Sequence, residues 1–174
     1  MPFTPFHMGP GLALKAVAGE RFSLLAFGVA QVAMDLEPLV GILSSADVLH
    51  GTSHTYLAAI PIGLLATAIT PILCRPLLRR WNNFLRNYRL ARLAGADTFA
   101  WPAVAFGALA GTLSHVALDS LMHHDIRPLA PFSEANGLLG AVSLDTLHLA
   151  CVAAGVAGSV LWAVRGGRSP GQSG

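Results

Sequence analysis

Apolar residues run through this chain in four long stretches, separated by short polar or basic connections. The stretches cover residues 22–43, 55–74, 99–122 and 138–164. Each is as long as the α-helix of about 20 residues that crosses the hydrocarbon core of a bilayer. The pattern predicts an all-α integral membrane protein with about four transmembrane helices, folded as a single domain over residues 1–165.

Three further features are predicted by the segments outside these stretches. The N-terminal piece is too short to span, and Gly9-Pro10-Gly11 predicts a half-helix that dips into the bundle, where protein surrounds its backbone. Residues 75–98 interleave arginines with large apolar side chains, a pattern typical of a basic helix in the headgroup plane. Residues 166–174 predict a flexible C-terminal tail.

Composition supports the membrane assignment. Hydrophobic residues make up 53% of the chain and charged residues only 11%, whereas a soluble domain carries about a quarter charged residues. The arginines of residues 75–98 could bind nucleic acid, but the apolar stretches on both sides favour a cytoplasmic loop instead. We therefore expect the lipid bilayer as partner, no nucleic acid, both termini in the cytoplasm, and residues 44–54 and 123–137 outside.

Ionisable side chains recur at helical spacing near the end of the third stretch. His115, Asp119 and His123 lie four residues apart, so they share one face of a helix, whereas His124 points to the opposite face. An ionisable group at membrane depth costs a few kcal/mol or more unless it is paired or coordinated. This stripe therefore predicts a partner inside the bundle.

Two further groups arrive at similar depth from other stretches. His50 and His54 precede the second stretch at the same spacing of four, and Asp35 and Glu37 lie in the outer half of the first. Imidazole and carboxylate are the ligands that divalent zinc, iron and manganese accept. The convergence of polar groups from three stretches predicts a buried metal centre.

These residues divide into two predicted roles. The predicted metal ligands are His7, Asp35, His50, His54, His115 and Asp119. They exceed what one tetrahedral zinc needs, so we expect one or two divalent ions, with zinc first and manganese or iron as alternatives. A bound metal lowers the pKa of its water to near neutral, and Glu37 or His123 would then serve as general base.

The same positions resemble a bacterial family of membrane-bound metal-dependent hydrolases, the LexA-binding, inner-membrane-associated type. That family shows an early His, then D-x-D, H-R-G-x-T-H and H-x-x-x-D elements, and a P-L-x-x-P-F-like stretch. The similar positions here are His7, Asp35-Leu36-Glu37, His50 to His54, His115 with Asp119, and Pro128-Leu129-Ala130-Pro131-Phe132. Glu37 replaces the second Asp, and the segment from His50 to His54 is one residue shorter and lacks the Arg.

The resemblance implies a metal-dependent hydrolase in a bacterial inner membrane. A site at this depth is reached most easily from the bilayer, so a lipid or lipid-linked ester or phosphoester is the expected substrate. A divalent-metal transporter is an alternative, although four spans without an internal repeat fit alternating access poorly. A structural membrane protein whose polar residues join its helices is another.

Overall fold

Six α-helices and three short 3-10 turns form the part of the chain that the computed structural model describes, residues 5–91 and 94–166. The helices are α1 (Met8–Ala18), α2 (Leu24–Met34), α3 (Leu36–Leu43), α4 (Tyr56–Asn87), α5 (Trp101–Met122) and α6 (Leu144–Gly166). Four spans are long and apolar enough to cross a membrane: α2 with α3, α4, α5 and α6. The predicted all-α architecture with four spanning helices is confirmed.

Large apolar side chains cover the outward faces of these spans. Ile72 on α4 is 71% exposed and Leu149 on α6 is 70% exposed. Such surface is unfavourable in water, whereas hydrocarbon accommodates it without cost. The chain is therefore a multi-pass membrane protein.

The first span breaks at Asp35, where α2 ends and α3 begins. Pro38 lacks a backbone N–H, so the carbonyl of Met34 loses its helical hydrogen bond, and the proline ring also crowds that carbonyl. Asp35 forms a turn between the two helices, and α3 begins at Leu36. The break places the carboxylate of Asp35 beside the ring of His115 on α5.

Helix α5 lies at the centre of the bundle and packs against both α2 and α4. A Cβ atom at Gly107 would lie 2.2 Å from the carbonyl oxygen of Ser23, and one at Gly111 would lie 2.9 Å from that of Phe27. Only glycine permits helices to approach so closely. The two glycines thus bring α2 against the polar face of α5.

Helix α4 is longer than expected. The sequence predicted a span ending near residue 74 and a separate basic helix over residues 75–98, but α4 continues to Asn87. Extending an existing helix needs no new nucleation, so the basic segment prolongs α4 instead of starting again. After α4 the chain folds back, and Arg79 donates from Nε to Asp97 Oδ2 at 2.8 Å.

The N-terminal half-helix predicted around Gly9 is α1, which packs along α6. A Cβ at Gly9 would lie 1.9 Å from the carbonyl oxygen of Cys151, and a Cβ at Gly158 would lie 2.6 Å from the backbone nitrogen of Ala13. This backbone-to-backbone packing fixes the start of α1 inside the bundle. Of the predicted C-terminal tail, residues 167–174 lie outside the described residues.

The glycine contact between α1 and α6 generates a stability prediction. Gly9→Ala is expected to lower the free energy of unfolding by about 1–3 kcal/mol, because its methyl group meets backbone that cannot move aside. Thermal unfolding of the detergent-purified protein measures this. Gly137→Ala is the control, since nothing lies within 4 Å of its Cβ position. Equal melting of both variants would contradict the α1–α6 packing.

Candidate metal centre

Five buried side chains from four different segments of the chain meet between the helices. His115 and Asp119 lie one turn apart on α5, and Asp35 lies at the break between α2 and α3. His54 ends a 3-10 turn (Thr52–His54) that precedes α4, and His7 ends another (Pro5–His7) that precedes α1. All five are at most 5% exposed. We call these five residues the central cluster.

The carboxylate of Asp119 is the hub of the central cluster. His115 Nε2 lies 3.2 Å and His54 Nε2 lies 3.5 Å from Asp119 Oδ2, and His7 Nε2 lies 3.3 Å from Oδ1. His115 Nε2 also lies 3.5 Å from Asp35 Oδ1. Two carboxylates and three imidazoles thus point their donor atoms at one small volume.

These separations fit coordination better than direct hydrogen bonding. Charge-assisted N–H···O bonds measure about 2.7–2.9 Å, whereas ligands at about 2.1 Å from a tetrahedral ion lie about 3.4 Å apart. The Nε2 atoms of His7, His54 and His115 are buried and have no hydrogen-bond partner among the described residues. Such orphaned buried nitrogens are costly. The cluster is compatible with a metal ion.

The opposite nitrogen of His115 is held by α2. His115 Nδ1 lies 2.6 Å from Gln31 Oε1, and Gln31 Nε2 donates to the carbonyl oxygen of Gly111 at 3.1 Å. Because the amide nitrogen faces Gly111, its oxygen accepts, and the Nδ1 of His115 must carry the proton. The Nε2 lone pair therefore faces Asp119, as a metal ligand requires.

His54 is oriented by a similar relay. The Ser53 hydroxyl donates to Glu37 Oε2, which also accepts from the backbone N–H of Ser53 at 2.9 Å. The Ser53 oxygen then accepts from His54 Nδ1 at 2.9 Å. This assignment again leaves the Nε2 lone pair of His54 toward the cluster. Glu37, with its side chain 39% exposed, supports the cluster from outside.

A second group, His50, His123 and Asp125, lies beside the central cluster. Its donor atoms lie within 4.8 Å of one another. The His50 ring meets the His54 ring edge-on at a centroid distance of 4.8 Å and stacks on the His123 ring at 4.1 Å. Burial lowers the pKa of His50, and burial together with the His50 ring lowers the pKa of His123 to about 4. Both imidazoles are therefore neutral near pH 7.

Asp125 is fixed on this second group. Its Oδ2 accepts from the backbone N–H groups of Leu49 and His50, at 3.2 and 3.0 Å, and His50 Nδ1 lies 3.0 Å from both carboxylate oxygens. Although burial raises the pKa of Asp125, these hydrogen bonds lower it to about 2. Asp125 is therefore ionised.

The structure sorts the residues that the sequence singled out. Five of the six predicted ligands lie in the central cluster, while His50 belongs to the second group. The two predicted bases lie outside the central cluster, Glu37 on Ser53 and His123 on His50.

Three residues of the site were missed by the sequence analysis: Gln31, Ser53 and Asp125. Gln31 carries a signal, because it lies one helical turn before Asp35 in an apolar stretch. Asp125 lies two residues after His123, but spacing alone does not show that it turns back toward His50.

A cavity of about 780 Å³ opens beside the second group. Its polar wall includes His50 and Asp125, and its apolar wall includes Leu57 and Pro61 from the first turns of α4. Arg127 and Glu134 also line the cavity, and their side chains form an ion pair. The cavity therefore joins the polar groups to an apolar face of a spanning helix.

The chain belongs to a family described as Domain of unknown function (DUF4184), whose model matches residues 1–164. No curated protein and no solved structure matches it. The family description names no activity, so any functional conclusion has to come from the site itself.

The hydrogen bond between Gln31 and His115 generates a prediction for metal affinity. Gln31→Met removes the acceptor that fixes the His115 tautomer and is expected to weaken binding of Zn²⁺ about 10–100-fold. Competition with a chromophoric chelator measures this affinity. Thr67→Val is the control, since the Thr67 hydroxyl donates to the Gly63 carbonyl of its own helix. Unchanged affinity in Gln31→Met would show that this hydrogen bond does not prepare His115 for metal binding.

Proposed function

We propose that this protein is a membrane-embedded, metal-dependent hydrolase whose ion is held by Asp35, His54, His115 and Asp119, with His7 as a fifth ligand. The observation that carries the proposal is the convergence of three orphaned, buried imidazole nitrogens on the Asp119 carboxylate. Divalent zinc is the first candidate, since it accepts imidazole and carboxylate donors and can expand from four to five ligands. Four ligands, Asp35, His54, His115 and Asp119, then leave one position for water when His7 does not bind. Manganese and iron accept the same ligands.

Charge balance supports the proposal. A buried carboxylate such as that of Asp119 is strongly unfavourable inside a spanning bundle unless a cation compensates its charge. A divalent ion bound through the imidazole lone pairs would compensate the charge of the coordinating carboxylates. The same ion would activate water for attack on an ester or phosphoester.

Proton transfer is assigned to the residues around the cluster. Glu37 is the proposed general base, because it is partly exposed and is joined to His54 through Ser53. In this scheme the Glu37 carboxylate would accept the proton of the attacking water. His123, beside His50, is the alternative base.

The substrate class follows from the surroundings of the site. The neighbouring cavity has a polar end at His50 and an apolar wall on Leu57 and Pro61 of a spanning helix. A lipid or lipid-linked ester or phosphoester would place its headgroup at the first and its chain along the second. Such a substrate could enter from the bilayer without crossing water.

The proposed orientation rests on the distance between the site and the basic end of α4. His54 precedes α4, whereas the arginines Arg75, Arg79, Arg80 and Arg86 lie toward its end. From Tyr56 to Arg79 the helix rises about 35 Å, which exceeds the hydrocarbon thickness. With the arginines in the cytoplasm of a bacterial cell, the site faces outward and the end of α6 at Arg165 lies on the cytoplasmic side. The start of α1 at His7 then lies at the depth of the site, so the N-terminal end of α1 is not cytoplasmic as the sequence predicted.

Metal content is the first test of this proposal. Detergent-purified wild-type protein is expected to carry zinc, manganese or iron, and His115→Ala and Asp119→Asn are expected to lose it together with ester or phosphoester hydrolysis. Inductively coupled plasma mass spectrometry gives the metal content. His124→Ala is the matched control, because His124 is exposed and lies outside both groups.

Two outcomes would contradict the proposed hydrolase function. Metal-free wild-type protein that folds normally would leave the polar residues a structural role between helices. Metal-loaded protein that moves Zn²⁺ into sealed liposomes, and hydrolyses no lipid ester, would instead identify a transporter.

Topology is a separate prediction. Single cysteines placed at Ser45 and at Arg80, in a background without Cys74 and Cys151, are expected to react with a membrane-impermeant maleimide on opposite sides of the membrane. In intact cells Ser45→Cys should be labelled and Arg80→Cys protected. Labelling of Arg80→Cys alone would reverse the proposed orientation.

A further inference from the structure

We infer that His50, His123 and Asp125 form a second cation site, distinct from the central cluster, at the wall of the cavity. Each residue offers one donor atom, and these atoms lie within 4.8 Å of one another. Two segments supply them: the loop before the Thr52–His54 turn, and the residues that directly follow α5.

The imidazole pair is arranged for metal binding and disfavours protonation. The His50 and His123 rings stack at a centroid distance of 4.1 Å with 30° between their planes. Two positive charges at this separation would repel each other, and partial burial strengthens the repulsion by lowering the local dielectric. A single cation that binds one nitrogen of each ring avoids this repulsion, and the donor atoms lie close enough together for it.

Asp125 supplies the negative charge. Two backbone N–H groups hold its Oδ2 in place, so the carboxylate needs little reorganisation to receive an ion. Arg127 lies on the same cavity wall but is paired with Glu134, so it does not neutralise Asp125. The second group thus combines one fixed carboxylate with two neutral imidazoles.

The ion takes the place of the proton between His50 and Asp125. In the structure His50 Nδ1 donates to the carboxylate at 3.0 Å. When an ion binds Nδ1 and a carboxylate oxygen, the imidazole proton moves to Nε2, so no net proton is released. Neighbouring ligands at about 2.1 Å from an octahedral ion lie about 3.0 Å apart, which matches the separation of His50 Nδ1 and Asp125 Oδ1. We therefore propose a six-coordinate ion such as Mn²⁺, with water completing its shell.

The position of this site gives it a distinct role. His50 and Asp125 line the cavity, and the His50 ring touches the His54 ring of the central cluster. This role rests on the proposed hydrolase function. A cation at the second group would bind a substrate oxygen, while the central ion would activate water, as in two-metal hydrolases. It also makes His123 a ligand and leaves Glu37 as the base.

The test is a count of ions in the full-length, detergent-purified protein. Metal is removed with a chelator, Mn²⁺ is added stepwise, and free Mn²⁺ is followed by electron paramagnetic resonance. Wild type is expected to bind two ions per chain, whereas Asp125→Asn and His123→Ala should bind one. The amide oxygen introduced by Asp125→Asn can still accept the two backbone N–H bonds, so the fold is expected to hold, and thermal unfolding checks this.

The control variants separate this inference from the proposed function. His124→Ala, which alters an exposed neighbour, should bind two ions, and Asp119→Asn should lose the central ion. If wild type binds one ion, or if Asp125→Asn and His123→Ala both match wild type, the second site is overturned and Asp125 only orients His50. If Asp119→Asn also matches wild type, the central metal site fails as well.

Discussion

The cost of placing ionisable groups within a membrane-spanning bundle governs this structure. Asp35 and Asp119 are buried among helices whose other faces are made for lipid, and an unpaired carboxylate there would be strongly destabilising. The bundle meets this cost by gathering three imidazoles around Asp119. The resulting cluster is compatible with a metal ion, which would compensate the carboxylate charge.

The irregular parts of the fold serve that centre. Pro38 breaks the first span where Asp35 is needed, and the glycines of α5 let α2 approach until Gln31 reaches His115. Gly9 lets α1 pack against α6, which carries His7 to the cluster. Each feature would weaken an isolated helix or limit its packing, yet together they bring polar side chains from four segments into one cluster.

The surroundings of the centre connect it to the membrane. The second group lies between the central cluster and the cavity, and the cavity extends along the apolar first turns of α4. The cavity therefore connects the polar side chains of His50 and Asp125 with the apolar side chains of Leu57 and Pro61. The proposed amphiphilic substrate rests on this continuity between polar and apolar walls.

The sequence by itself determined the spans and most of the cluster. Hydropathy is a local property, so the four apolar stretches appear directly, and helical spacing places His115 and Asp119 on one face. Polar residues are unfavourable at most depths of the membrane. From their positions relative to the apolar stretches, His7, Asp35 and His54 were predicted to lie at a similar depth. Such inferences need no knowledge of which helices touch.

Only the tertiary structure decided which groups face one another. Asp125 turns back onto His50 across 75 residues of sequence, and Gln31 meets His115 across 84. It also separated His50 from the central cluster and joined the basic segment to α4. These contacts depend on helix rotation and on the path of loops, which are set by packing between distant residues and leave no periodic signal in the chain.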